Sequence, residues 1–170
     1  RVSATLMTRF LREARVTARL EHPGIVPVHD LVRLDDGRLA YTMKRVRGQT
    51  LGEALAASVG LAARMLLLGH IEDVCNALAF AHSEGVVHRD LKPANVLIGA
   101  FGETVVIDWG LASVEGEEDS LPDERDLEGE GSQPGADLTR VGHVIGTPRY
   151  MSPEQARADH ARVDARTDVW

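Results

Sequence analysis

The stretch Val86–Leu97, VVHRDLKPANVL, sets an aspartate, Asp90, two residues before a lysine, Lys92, and five before an asparagine, Asn95. A second aspartate, Asp108, closes the next apolar run, in VVIDWG. A carboxylate can orient a hydroxyl and accept its proton, while a lysine brings a compact positive charge on a flexible stem. An amide oxygen and a carboxylate are hard donors that suit magnesium when other positions are left to phosphate and water. Singly, Asp90 reads equally well as a turn former and Asn95 as a cap. The set does not: HRDLKPAN, then an apolar strand, then Asp-aromatic-Gly fixes too many positions for chance.

These strings resemble the catalytic loop and metal-binding motif of eukaryotic-type protein kinases of the bacterial serine/threonine kind, in the family's order and spacing. The resemblance runs from near the first residue to the last. It implies an α+β, protein-kinase-like two-lobed fold, present in part. Residues 1–46 would be the remainder of the small lobe and 47–170 the large lobe up to the start of its central spine helix. The implied reaction moves the γ-phosphate of ATP, with Mg2+, to Ser/Thr hydroxyls of protein substrates. Such transfer needs charge neutralised and a nucleophile held in line more than it needs covalent work. On that resemblance Asp90 accepts and orients the hydroxyl, Lys92 reaches the γ-phosphate, and Asn95 and Asp108 hold magnesium. Leu97 would floor the adenine, His88 would pack in the regulatory spine, and Arg89 would pair with a phosphorylated activation-segment residue. Trp109 stands where the family has phenylalanine, a tuning change in which Asp108 and Gly110 are kept.

The elements that must position these groups can be read upstream. Leu6, Phe10, Leu11, Ala14, Ala18 and Leu20 lie near helical spacing and predict a helix over 3–21, stopped before His22-Pro23-Gly24. Strands over 25–34 and 38–46 flank a tight Asp35-Asp36-Gly37 turn. Glu13 alone reads as a solvated charge on that helix. Together with HPGIVPVHD it resembles the family's helix glutamate that pairs with the ATP-positioning lysine. YTMKRVRG, residues 41–48, falls at the family's hinge. Met43 would be the gatekeeper, and the backbone of Lys44 and Val46 would bond the adenine edge; a plain edge strand is the alternative. Thr50 with Glu53 predicts a capping box opening a helix over 50–57. A long helix over 61–83 is predicted from Leu66, Leu67, Ile71, Val74, Leu78 and Phe80, and Cys75 within it reads as core packing. His70 and His82 have no partner at metal-ligand spacing and carry no predicted chemistry.

Residues 111–146 resemble an unusually long activation segment. Its part 115–137, rich in Glu, Asp, Gly, Ser and Pro, is expected to be disordered, with an acidic flap as the alternative. Thr139 is the expected autophosphorylation site, ahead of Ser120 and Ser132, and a homodimer would serve that reaction. GTPRYMSPEQA resembles the docking loop and its terminating motif, with Ser152 for alanine. It implies Thr147 bonded near Asp90 and Lys92, and Glu154 in a buried ion pair with an arginine beyond Trp170. Asp168 would accept backbone hydrogen bonds from the His88-Arg89 turn.

The formal charge of −7 argues against a general nucleic-acid binder, and most of the excess acid falls within 115–137. One cysteine forbids an intrachain disulfide and points to a reducing, cytoplasmic compartment, with any membrane anchor of the parent protein lying outside this chain. No apolar run approaches membrane-spanning length, and there is no signal-peptide pattern. The glycine-rich loop and the lysine that Glu13 should meet occur nowhere in the chain, and are expected N-terminal to Arg1. The chain thus reads as a piece of a longer frame, inactive when isolated. A non-catalytic kinase-like scaffold or regulator is the second reading, and small-molecule phosphotransferases, which lack the docking loop, the third.

Overall fold

The computed structural model describes residues 4–114 and 146–170. The acidic tract, Thr139, Ser120 and Ser132 lie outside them. The chain opens with α1 (Ala4–Arg19), whose last turn carries Arg19 against the negative helix end. Ala14, Val16, Thr17 and Leu20 are buried, whereas Ala18, expected on the apolar stripe, is exposed. A hairpin follows, β1 (Val28–Arg33) antiparallel to β2 (Leu39–Met43), with Leu31 opposite Tyr41. Its turn places Gly37 at φ 82°, and the Leu34 and Gly37 N–H groups donate to Arg38 and Leu34 carbonyls. Both strands are shorter than their sequence spans. Ile25 and Val26 are instead buried against residues 104–106, the Val26 and Val106 N–H groups donating to Val106 and Gly24 carbonyls at 3.2 and 2.8 Å.

A three-stranded antiparallel sheet comes next, ordered β3 (Gly48–Thr50), β5 (Val96–Gly99), β6 (Thr104–Val106). A side chain at Gly48 would strike the Ile98 carbonyl, so this close pairing requires glycine. Thr50 closes β3 and caps α2 (Leu51–Ala57): its hydroxyl accepts from the Glu53 N–H while Glu53 accepts from the Thr50 N–H. The capping box foreseen in the sequence therefore forms.

The single helix predicted over 61–83 is two helices, α3 (Gly60–Met65) and α4 (Leu68–Ser83), with a turn at Leu66 and Leu67. The predicted stripe is also displaced. Leu66 and Ile71 are exposed, and the buried face of α4 is Val74, Ala77, Leu78 and Ala81. Small residues on that face let α4 come close to the sheet; a Cβ at Gly24 would lie 3.1 Å from that of Ala77. Cys75 points the other way and is exposed, not core.

Two short pairings bring the chemical loops together. β4 (Val86–Val87) pairs with β7 (Ser113–Val114), and β5 pairs with β6, Val96 opposite Val106. The loop 88–95 runs from β4 to β5 and the loop 107–112 from β6 to β7. Both ends of each loop are thus tied to the ends of the other. Val86, Val96, Val106 and Val114 bury their side chains at these pairings, each worth about 1.5–3 kcal/mol, and Trp109 is buried in the second loop. The described chain closes with α5 (Pro153–Ala156), capped by Ser152, and the 3-10 turn Ala165–Val169. Among the described residues no helix is long and apolar enough to cross a membrane.

Candidate active site

The residues from His88 to Asn95 form a hydrogen-bonded unit around the Asp90 carboxylate, which is buried. Its Oδ1 accepts from the Thr147 N–H at 2.8 Å and the Thr147 hydroxyl at 2.7 Å. Its Oδ2 accepts from Lys92 Nζ at 2.6 Å and Asn95 Nδ2 at 3.3 Å. The Lys92 ammonium also donates to Thr147 Oγ1 at 2.6 Å. One hydroxyl therefore sits between a carboxylate that accepts from it and an ammonium that donates to it. Asn95 Nδ2 donates as well to the Asp90 carbonyl at 2.9 Å, which turns the amide oxygen away from Asp90.

A second carboxylate holds the loop from behind. Asp168 Oδ2 accepts from the His88 N–H and His82 Nε2, and Oδ1 from the Arg89 N–H, all at 2.8 Å. The Arg89 carbonyl accepts from Gln155 Nε2 at 2.6 Å. Arg89 is thereby fixed at φ 67°, a left-handed conformation unusual for a residue other than glycine. His82, given no role from its spacing, is one of the three donors to Asp168. Its partner lies 86 residues away, so nothing local signalled it.

The fully buried His88 ring joins the two loops. Its Nδ1 accepts from the Asp90 N–H at 3.2 Å and its Nε2 donates to the Ile107 carbonyl at 3.1 Å, which fixes the tautomer. Trp109 packs on it with ring centroids 4.7 Å apart, and its buried indole N–H meets no acceptor among the described residues. Asp108 precedes it, exposed and at φ 65°, the second left-handed residue of the site.

Glu13 reaches this loop from α1. A Cβ built on Gly110 would lie 3.2 Å from Glu13 Oε2 and 3.4 Å from Asp108 Oδ1, so the two carboxylates flank this glycine closely. The Tyr41 hydroxyl donates to Glu13 Oε1 at 2.7 Å. Burial first, then that hydrogen bond and the charges of Glu13 and Asp108, push the Tyr41 phenol's ionisation well above its ordinary value.

Met43 ends β2 and is 43% exposed. The Lys44 N–H donates to the Pro27 carbonyl at 3.2 Å. Val46 is half-buried, and Leu97 is half-buried in β5 opposite Thr50 and Val105. A cleft of about 530 Å³ along the end of α1 and the start of β1 shares Lys44 with these positions but none of the Asp90 unit. Glu154 has no arginine partner among the described residues. Hydroxyl hydrogen bonds from Ser152 and Thr167, with its own backbone N–H, hold its carboxyl below the usual range, and Thr167 Oγ1 donates at 2.8 Å. The arginine that the resemblance places beyond Trp170 lies outside this chain, and within it these neutral donors hold the carboxylate. Among the described residues no cluster of three or more His, Cys, Asp or Glu side chains can hold a metal ion.

Comparison with known proteins agrees with this geometry. The model of the protein kinase domain family matches residues 2–170. The chain is 38% identical, over 95% of its length, to the serine/threonine-protein kinase PknD of Protochlamydia amoebophila. It is 40% and 39% identical, over 97% of its length, to proteins of the same name from Chlamydia abortus and Chlamydia caviae. It spans 17–18% of the length of these relatives. A match along nearly the whole chain, falling on the loops that carry Asp90 and Asp108, assigns it plainly: the chain belongs to the protein kinase domain family.

Proposed function

We propose that this chain carries the catalytic centre of a serine/threonine protein kinase, which transfers the γ-phosphate of ATP to Ser/Thr hydroxyls of a protein substrate. The observation that carries this reading is the Thr147 hydroxyl, held at 2.7 Å by the Asp90 carboxylate and at 2.6 Å by the Lys92 ammonium. An acceptor hydroxyl needs that same pairing, a carboxylate to orient it and take its proton and a cation to offset the charge moving onto the phosphate. Asp90 is the base, Lys92 the phosphate contact, and Thr147 the residue that keeps both in register until the acceptor arrives.

Asn95 and Asp108 fit a magnesium ion: an amide oxygen turned from Asp90 and an exposed carboxylate are two hard donors, too few for a closed protein cage. Bound there, magnesium would neutralise phosphate charge. Glu13 completes the nucleotide side together with a lysine expected outside this chain. The backbone of Lys44 and Val46, with Met43 and Leu97, would border the adenine. A division into a small lobe through residue 46 and a large lobe from 47 is supported by the pairing of β3 with β5 instead of β2.

The test is transfer of labelled γ-phosphate from Mg-ATP to a protein acceptor by the protein that carries this chain. Labelled phosphoserine or phosphothreonine that disappears on Asp108→Ala supports the reading. Nucleotide binding without transfer to any acceptor, including the protein itself, would favour a scaffold.

A further inference from the structure

We propose that Tyr41 is a positioning residue for Glu13, its phenol holding one carboxylate oxygen so that the other stays turned toward Asp108. The inference rests on the kinase reading for its consequence, but the contact itself does not. Tyr41 is anchored on both sides. Its backbone lies in β2 opposite Leu31, and its ring packs on Phe10 with centroids 4.9 Å apart. Phe10 is three residues before Glu13, so ring and carboxylate lie on one face of α1 and meet the tyrosine together. The hydroxyl then donates to Glu13 Oε1 at 2.7 Å, and among the described residues no other side chain donates to that carboxylate.

The division of oxygens is the functional point. Oε2 and Asp108 Oδ1 lie 3.2 and 3.4 Å from the position a Cβ on Gly110 would take, so the two carboxylates flank the same glycine. Like charges on either side of one residue repel, and a rotamer change at Glu13 would move them apart. A phenol holds Glu13 in place without neutralising it. A neutral donor leaves the two side chains to the cation that a nucleotide site must present there, with which a lysine or arginine at position 41 would compete. Tyr41 also stays protonated as a donor, since burial and the two carboxylates oppose its ionisation.

Tyr41→Phe keeps the ring contact with Phe10 and removes the hydroxyl alone. In the kinase assay the variant is expected to raise KM for ATP about tenfold, the order of a lost hydrogen bond to a charged group. KM for the protein acceptor should stay unchanged, the melting temperature should fall by only a few degrees, and Tyr41→Phe should add nothing to Glu13→Gln. Unchanged KM for ATP overturns the proposal, as does a parallel shift of both KM values with a lowered melting temperature. If the wild-type protein transfers no phosphate, the kinase reading fails and the contact is judged by a double-mutant cycle in urea unfolding, where Tyr41→Phe and Glu13→Gln should be non-additive. Strictly additive losses overturn the contact.

Discussion

Asp168→Ala is the perturbation whose size follows most directly from the geometry. The Asp168 side chain is fully buried and accepts three hydrogen bonds, two from backbone N–H groups of the His88-Arg89 turn and one from His82. His82 is 17% exposed, so its ring can find water once the carboxylate is gone. The His88 N–H is buried and the Arg89 N–H half-buried, and a stranded donor of this kind costs about 1–3 kcal/mol. The expected loss is therefore about 2–6 kcal/mol, a large part of the roughly 5–15 kcal/mol that holds a domain together. Urea unfolding measures it as a lower midpoint with an unchanged slope. Amide exchange supplies the local check, since the His88 and Arg89 amides should lose protection first. A loss below about 1 kcal/mol, with both amides still protected, would refute the reasoning that Asp168 keeps Arg89 at positive φ.

Three further outcomes are expected. Thr50→Ala removes the α2 cap and should cost about 1 kcal/mol in urea unfolding. The same cap gives a pH dependence, because the Thr50 N–H and then its hydroxyl lower the Glu53 carboxyl below 4.5 in the folded state. The cap's contribution is thus present above that pH and lost as pH falls through the lowered value. Stability of the Thr50→Ala variant should fall less steeply with acid than that of wild type. Trp109→Phe gives up ring area but also removes a buried N–H without an acceptor among the described residues, so stability should stay within about 1 kcal/mol of wild type. A loss above about 3 kcal/mol would show that the indole N–H is satisfied in solution.

Much of the site was legible because its chemistry is local. Asp90, Lys92 and Asn95 fall within six residues, and the capping box of Thr50 and Glu53 within four, so spacing alone brings the side chains into reach. The turn at Asp35-Asp36-Gly37 was legible for the same reason: glycine supplies the positive φ. The break between α3 and α4 was not, because Leu66 and Leu67 are good helix formers and the nearby Gly69 falls inside α4, past the break. The burial of α4 was misread because Ala77 and Ala81 carry little hydrophobic signal yet form its closest face. Tyr41–Glu13 and His82–Asp168 join residues 28 and 86 apart, and only the tertiary fold brings them together.

The central claim is that the Asp90 carboxylate, held by Lys92 and Thr147, handles the acceptor hydroxyl in phosphoryl transfer. Asp90→Asn preserves size and one acceptor oxygen but removes the base, so the decisive measurement is its kcat for γ-phosphate transfer to a protein acceptor. A fall of about 10²-fold or more is expected, with the affinity for Mg-ATP unchanged. Transfer retained within about threefold of wild type would contradict it, since a dispensable carboxylate cannot be the group that takes the proton.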